Sequence, residues 1–221
     1  MTLSRDTRKA QTRDALLRAA ARLFARNGIE ATSLDAIAAE VGLTKGAIYA
    51  HFENKKALMI AVSFAFQSEP SQIKLDALLL DETRPLRERF AEMAEIGESI
   101  LETGVFGLTP REVALLDLEY FLYELRTMDP EMIALTRGAY EKWGKQLDEI
   151  QKKLHDPLTF PGQSTIPIGI NLYRGLALAV VISPDLVPPS VFREAFTGIG
   201  ELLTKPKPSR SGASRRKPRG G

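Results

Sequence analysis

The sequence predicts an all-α chain: an N-terminal three-helix unit with a helix-turn-helix, followed by a larger helical body. The first observation is the apolar spacing in SLDAIAAEVGLTKGAIYAHF, residues 33–52, where Leu34, Ile37, Ala38 and Val41 fall at i, i+3, i+4 and i+7 on one helix face. The second is the corner after it. Gly42 can take a left-handed conformation at little steric cost, Leu43 plugs the turn, and a short helix from Lys45 puts Ile48 and Phe52 inside. The third is the remainder of the chain, which reads as successive apolar stripes, several opened by a cap or a proline.

In chain order, residues 1–11 read as a mobile basic arm, with Arg5, Arg8 and Lys9 able to reach a phosphate. Thr12 caps a helix to Asn27 whose buried stripe is Leu16, Ala20, Leu23 and Phe24, and Asn27-Gly28 ends it. Thr32 or Ser33 caps the next helix, with Asp35 in capping-box position after Thr32, and Thr44 caps the one beyond the corner. A fourth helix follows Glu53 and Asn54, with Lys55 in its first turn, a ready phosphate site. Residues 66–84 are mixed, with SEPSQ as a breaker. Body helices are expected from Pro85 to Leu101, Pro110 to about Met128, Pro130 to Leu154, Ile168 to Ile182 and Pro189 to Leu203, with loops at 104–109 and 155–167. The domains therefore run 10–70, with the helix-turn-helix at 33–52, and 71–204. Residues 205–221, KPKPSRSGASRRKPRGG, read as a disordered basic tail.

At 221 residues and 44% hydrophobic, the chain can bury a substantial core. It has no cysteine, which excludes a disulfide framework, a thiolate metal site and a cysteine nucleophile, and suits the cytoplasm. The start lacks the apolar segment of a secretory signal, and the longest nearly unbroken apolar run, Gly175 to Ile182, is too short to cross a bilayer. We therefore expect a soluble cytoplasmic protein with no membrane partner. The net charge of +2 is unevenly spread. Residues 1–56 carry ten Lys/Arg against six Asp/Glu, residues 57–204 carry 13 against 22, and residues 205–221 carry seven against none. A basic head on an acidic body points to a polyanion-binding end.

Catalytic signatures are absent from the sequence. The two histidines, His51 and His155, have no metal-ligand spacing, and there is no phosphate-binding glycine loop, nucleophile elbow or HExxH. Acid pairs such as Asp117/Glu119 and Asp148/Glu149 fall on different helix faces and read as surface charge. No enzyme, cofactor or metal is expected.

The outward residues of the second short helix, Thr44, Lys45, Gly46, Ala47, Tyr49 and His51, are small, basic or hydrogen-bonding, and none is a carboxylate. A helix entering the major groove needs such a face, because acids repel phosphates and small residues let the backbone approach base edges. Residues 12–62 resemble the N-terminal domain of the TetR (TetR/AcrR-type) family of bacterial transcriptional regulators. The shared pattern is an LF then G before the first turn, TS and IA in the second helix, GL-[ST]-K-G-x-[IL]-Y-x-[HY]-F, and a following K-x-x-L; Ala50 departs from the larger residue of many members. The resemblance implies a homodimeric repressor on double-stranded DNA with a palindromic operator. It places Thr44, Lys45, Gly46, Ala47 and Tyr49 at the groove, His51 near the backbone or a base edge, and Thr32, Ser33 and Lys55 on phosphates. It also implies that the helices around 132–154 and 168–182 pair with their symmetry mates, and that the body holds a small-molecule effector. Aromatic and soft residues able to line that pocket are Phe64, Met93, Phe106, Phe121, Tyr123, Met128, Tyr140 and Trp143. The body's few buried-looking cations favour an uncharged or cationic apolar ligand. The other class open to these residues is a helical ligand-binding or interaction protein without sequence-specific DNA binding.

Overall fold

A computed structural model describes residues 4–204, and the basic tail at 205–221 lies outside them, as do residues 1–3 of the expected arm. The described residues form ten α-helices: α1 (Arg5–Asn27), α2 (Leu34–Glu40), α3 (Lys45–Tyr49), α4 (Lys55–Gln67), α5 (Pro70–Leu79), α6 (Leu86–Thr103), α7 (Pro110–Thr127), α8 (Pro130–Leu154), α9 (Gly162–Ile182) and α10 (Pro189–Leu203). The fold class is all-α, as expected.

Three boundaries differ from expectation for identifiable reasons. The first helix starts at Arg5 rather than Thr12, because the Ser4 hydroxyl accepts from the Thr7 amide and Asp6 sits favourably in the first turn. The SEPSQ stretch starts a helix instead of breaking one, since Pro70 occupies a first-turn position where its missing N–H costs nothing. The ninth helix begins at Gly162 and contains Pro167. The carbonyl that Pro167 leaves unbonded belongs to Gln163, an exposed residue of the first turn, so the proline is tolerated.

The first four helices share a core in which Leu16, Ala20, Phe24, Ile37, Ile48 and Leu58 are fully or almost fully buried. That core does not stop at α4: Phe106, Leu108, Leu116 and Met132 belong to the same cluster. A second cluster joins α6, α8, α9 and α10 through Leu86, Phe90, Leu147, Val180, Phe192 and Phe196. There α10 lies along α6, and α9 packs on both α8 and α10. The tightest helix approach is between α8 and α9, where a Cβ on Gly162 would overlap the Gly144 carbonyl oxygen. The corner between α5 and α6 is held by Arg89, which is wholly buried and donates to the carbonyls of Leu78 at 2.6 Å and Leu79 at 2.8 Å. Burial pushes its pKa down, and those carbonyls replace lost water.

The expectation from Gly175–Ile182 alone needs correction, because α9 is 21 residues long and, with a mean hydropathy of 1.6, is apolar enough to span a bilayer. Only 22% of that apolar window is buried within the chain. Its mid-helix Arg174 makes a forked pair with Asp117 of α7 and lies 5.0 Å from the Phe121 ring centre.

Gly144→Ala is expected to lower stability by about 1–3 kcal/mol, because the added methyl meets the α9 backbone rather than a yielding side chain. Urea unfolding checks it, with Gly138→Ala, where nothing lies within 4 Å, as the control expected to be neutral or stabilising.

Candidate nucleic-acid interface

The helix-turn-helix forms as its apolar spacing requires. The Ser33 hydroxyl caps α2 by accepting from the Ala36 amide at 3.1 Å. The corner closes when the Leu43 amide donates to the Ala38 carbonyl at 2.8 Å, with Gly42 at a φ of 70°. Ile37, Ala38 and Ile48 fill the angle between α2 and α3, and Phe52 closes it from below. Thr44 stands at the start of α3, but its side chain makes no capping bond.

This packing turns one face of α3 outward. Thr44, Lys45, Gly46, Tyr49 and Ala50 are exposed, with Ala47 and His51 half-buried. The Lys45 ammonium donates to Asp35 at 2.9 Å, which raises its pKa, and lies 6.0 Å from the Tyr49 ring centre. The His51 pKa is lowered, first by burial and then by Lys9 and Arg13. Both cations belong to α1, whose early start takes in Lys9, expected on the arm. Arg13 also sits 5.1 Å from the centre of the Phe52 ring.

Two expected phosphate contacts meet a different geometry. Thr32 is buried, and its hydroxyl donates within the fold, at 2.7 Å to the Gly28 carbonyl and 3.2 Å to that of Leu23. The Lys55 ammonium donates to the carbonyls of Ile29, Glu30 and Thr32 at 2.9, 3.0 and 3.2 Å. An ammonium has three hydrogens, so all are engaged in holding the loop between α1 and α2. The head of α4 is instead capped by Asn54, whose side-chain oxygen accepts from the Ala57 amide.

The eight effector-pocket residues are not gathered around one cavity. Phe64 and Met128 are exposed, Phe106 is buried in the head cluster, and Tyr123 packs against that same cluster. Phe121 lies beneath Arg174, while Met93, Tyr140 and Trp143 pack against the body cluster. A groove of about 540 Å³ follows residues 148–161 and includes none of the eight; a second, between α1 and α4, includes Phe64 alone. Aromatic residues at helical spacing went mainly into cores, and the rings that fill the body, Phe90, Tyr173, Phe192 and Phe196, are others. The α7 carboxylates read as surface charge are engaged too. Asp117 holds Arg174, and Glu119 accepts from the Ile29 amide at 3.0 Å. Their partners lie 57 and 90 residues away in sequence, and no local spacing could have revealed them.

Residues 16–62 match the profile of bacterial regulatory proteins, tetR family. A curated relative, the HTH-type transcriptional repressor BepR of Brucella suis biovar 1, is 36% identical over 77 residues, which are 35% of this chain and 37% of that protein. The match thus spans little more than a third of the relative's length. Among solved structures, a putative transcriptional regulator from Saccharomonospora viridis in complex with choline is 20% identical, with a TM-score of 0.65 over 89% of this chain and 100% of that one. NalD, the secondary repressor of the MexAB-OprM multidrug efflux pump in Pseudomonas aeruginosa, is 23% identical, with a TM-score of 0.63 over 91% and 98%. These likenesses show the fold of the whole described chain, and the N-terminal match supplies the sequence pattern. The N-terminal match, carried on a fold shared with solved regulators, supports a TetR-family transcriptional regulator.

Proposed function

We propose that the chain is a cytoplasmic homodimeric repressor, released from a palindromic operator by a small apolar ligand, uncharged or cationic. The observation that carries the DNA reading is the outward face of α3: Thr44, Lys45, Gly46, Ala47, Tyr49 and His51 stand together, none of them a carboxylate, with Asp35 of α2 paired to Lys45 and Lys9 and Arg13 near His51. Ser33 remains exposed at the start of α2 for a phosphate. Two-fold symmetry is supported by α9, most of whose apolar window is only partly buried in one chain, and a second copy of α8 and α9 would complete the cover. Two such heads meet successive major-groove faces, which requires half-sites one or more helical turns apart. The choline complex among the structural relatives is in keeping with a cationic effector. A gel shift on the DNA flanking the chain's own gene tests the reading, and indifference to that DNA at low salt would overturn it.

Lys45 must leave Asp35 to reach DNA. Asp35→Asn is therefore expected to tighten binding to any duplex by about two- to fivefold, the scale of one exposed ion pair, in fluorescence anisotropy at low salt. Tyr49→Ala is expected to change which sequences a random pool yields.

The lowered pKa keeps His51 neutral near pH 7 in the free chain, and a phosphate brought beside it raises that pKa. Proton uptake then accompanies binding, so affinity is expected to rise as pH falls from about 7.5 to 5.5, and His51→Gln to flatten that dependence. The free fold moves the other way. Its His51 pKa lies below the unfolded value near 6.5, so stability falls as pH drops through that value, a trend thermal melts at several pH values will show.

A further inference from the structure

The loop joining α1 to α2 sets where the helix-turn-helix begins, and it is held from two sides. From the head, Lys55 takes the carbonyls of Ile29, Glu30 and Thr32. From the body, Glu119 of α7 takes the Ile29 amide at 3.0 Å. The Ile29 side chain is fully buried, and Gly28 before it has a φ of 87°, with Glu119 so close that a Cβ there would sit 3.3 Å from its carboxylate. Four residues after Ile29, Ser33 caps α2, and α2 packs directly on α3. The same α7 also grips the head at two further points. Glu112, two turns before Glu119, accepts from Arg26 in the last turn of α1 at 2.6 Å, and the Tyr120 hydroxyl donates to the Met59 carbonyl of α4 at 2.7 Å.

We infer that Glu119 is a positioning residue for DNA recognition: by holding the Ile29 amide it makes the placement of α7 set the angle at which α2 and α3 are presented. The residue touches no DNA. It acts through loop 28–32, and this gives the body a route to the reading helix that bypasses the α4 stalk. The inference rests on the DNA-binding reading above. A carboxylate is suited to the task, since a charge-assisted bond to a backbone amide is short and directional, and a shift of α7 by one ångström lengthens it past useful range.

The test uses the full chain, the duplex it selects from a random pool, and a scrambled duplex of equal length. Glu119→Ala is expected to weaken binding to the selected duplex about tenfold, within the range of ordinary coupling between sites, and to leave the scrambled duplex unchanged or slightly better bound. Removing an anion alone tightens binding to any duplex, so a selective loss has the opposite sign to a charge effect. Glu119→Gln, which keeps an acceptor oxygen, is expected to recover most of the affinity. In the absence of DNA, exchange of the Ile29 amide is expected to quicken at least about tenfold in the alanine form and not in the glutamine form. Should the alanine form fail to fold, Glu119→Asp, one methylene shorter, is expected to show the same selective loss. Equal affinity of variant and parent, or an equal loss on both duplexes, overturns the inference while the DNA reading stands. A parent chain that selects no duplex overturns both.

Discussion

Three carbonyl oxygens of one short loop converge on the Lys55 ammonium, and the presentation of the reading helix depends on that convergence. Ile29 is fully buried in the head core, which leaves its own carbonyl and that of buried Thr32 in need of donors. A flexible side chain with three donors supplies all of them from a single site at the start of α4, so that α1, α2 and α4 are fixed against one another at one point. The Thr32 hydroxyl adds a further closure to Gly28, and Glu119 serves the one amide that Lys55, having no acceptor, cannot.

The same economy explains why the head is not sealed at residue 70. A three-helix unit of this size buries too little surface for a comfortable margin. Here it borrows Phe106, Leu108, Leu116 and Met132, so part of its core is furnished by the α6–α7 loop, α7 and α8. Arg18 reinforces the join, lying 4.5 Å from the Phe106 ring centre and pairing with Glu69. Lys56 does likewise, with Glu131 at 2.7 Å and Asp129 at 3.2 Å. Head and body are therefore mechanically continuous, and rotation of one against the other breaks specific ion pairs and exposes apolar surface.

What the sequence disclosed and what it withheld divide along one physical line. Periodicity and caps are local, and they placed the helix-turn-helix, the apolar residues Ile37, Ala38, Ile48 and Phe52 of its core, and α8 and α10. The outward side of α3 was legible for the same reason, because a short helix with one inner face leaves only one outer face. The partners of Lys55 and Thr32 in the free chain were not legible because they lie in the fold: a lysine in a first turn next to free amides looks the same whether it meets a phosphate or three carbonyls of another loop. Glu119 was overlooked because its partner lies 90 residues away. Arg89 gave no signal, since nothing in a charged helix such as RERFAEMAE marks the arginine that turns inward to carbonyls. The aromatic residues expected around one pocket are spread over separate clusters for the same reason, since hydrophobicity places a ring inside without choosing which interior.

Effector control requires a ligand to favour one arrangement of the heads over another, and the energy of that preference has to reach α3 through packed or bonded contacts. In α7 the two ends of such a path meet within four residues. Asp117 holds Arg174 of α9, whereas Glu119 and Tyr120 hold the head. The body core packs Tyr173 of α9 edge-on against Phe192 and Phe196 of α10, with ring centres 5.6 and 5.7 Å apart. A molecule entering there must displace rings already in contact, and interiors at crystal-like density shift whole helices sooner than they compress. Because α9 is tied to α7 one residue from Tyr173, displacement at those rings reaches Glu119 through a single helix. On the proposed reading, reciprocity makes DNA that fixes α3 stiffen the body against the same displacement, so that effector and operator would oppose each other through one element and by equal free energies.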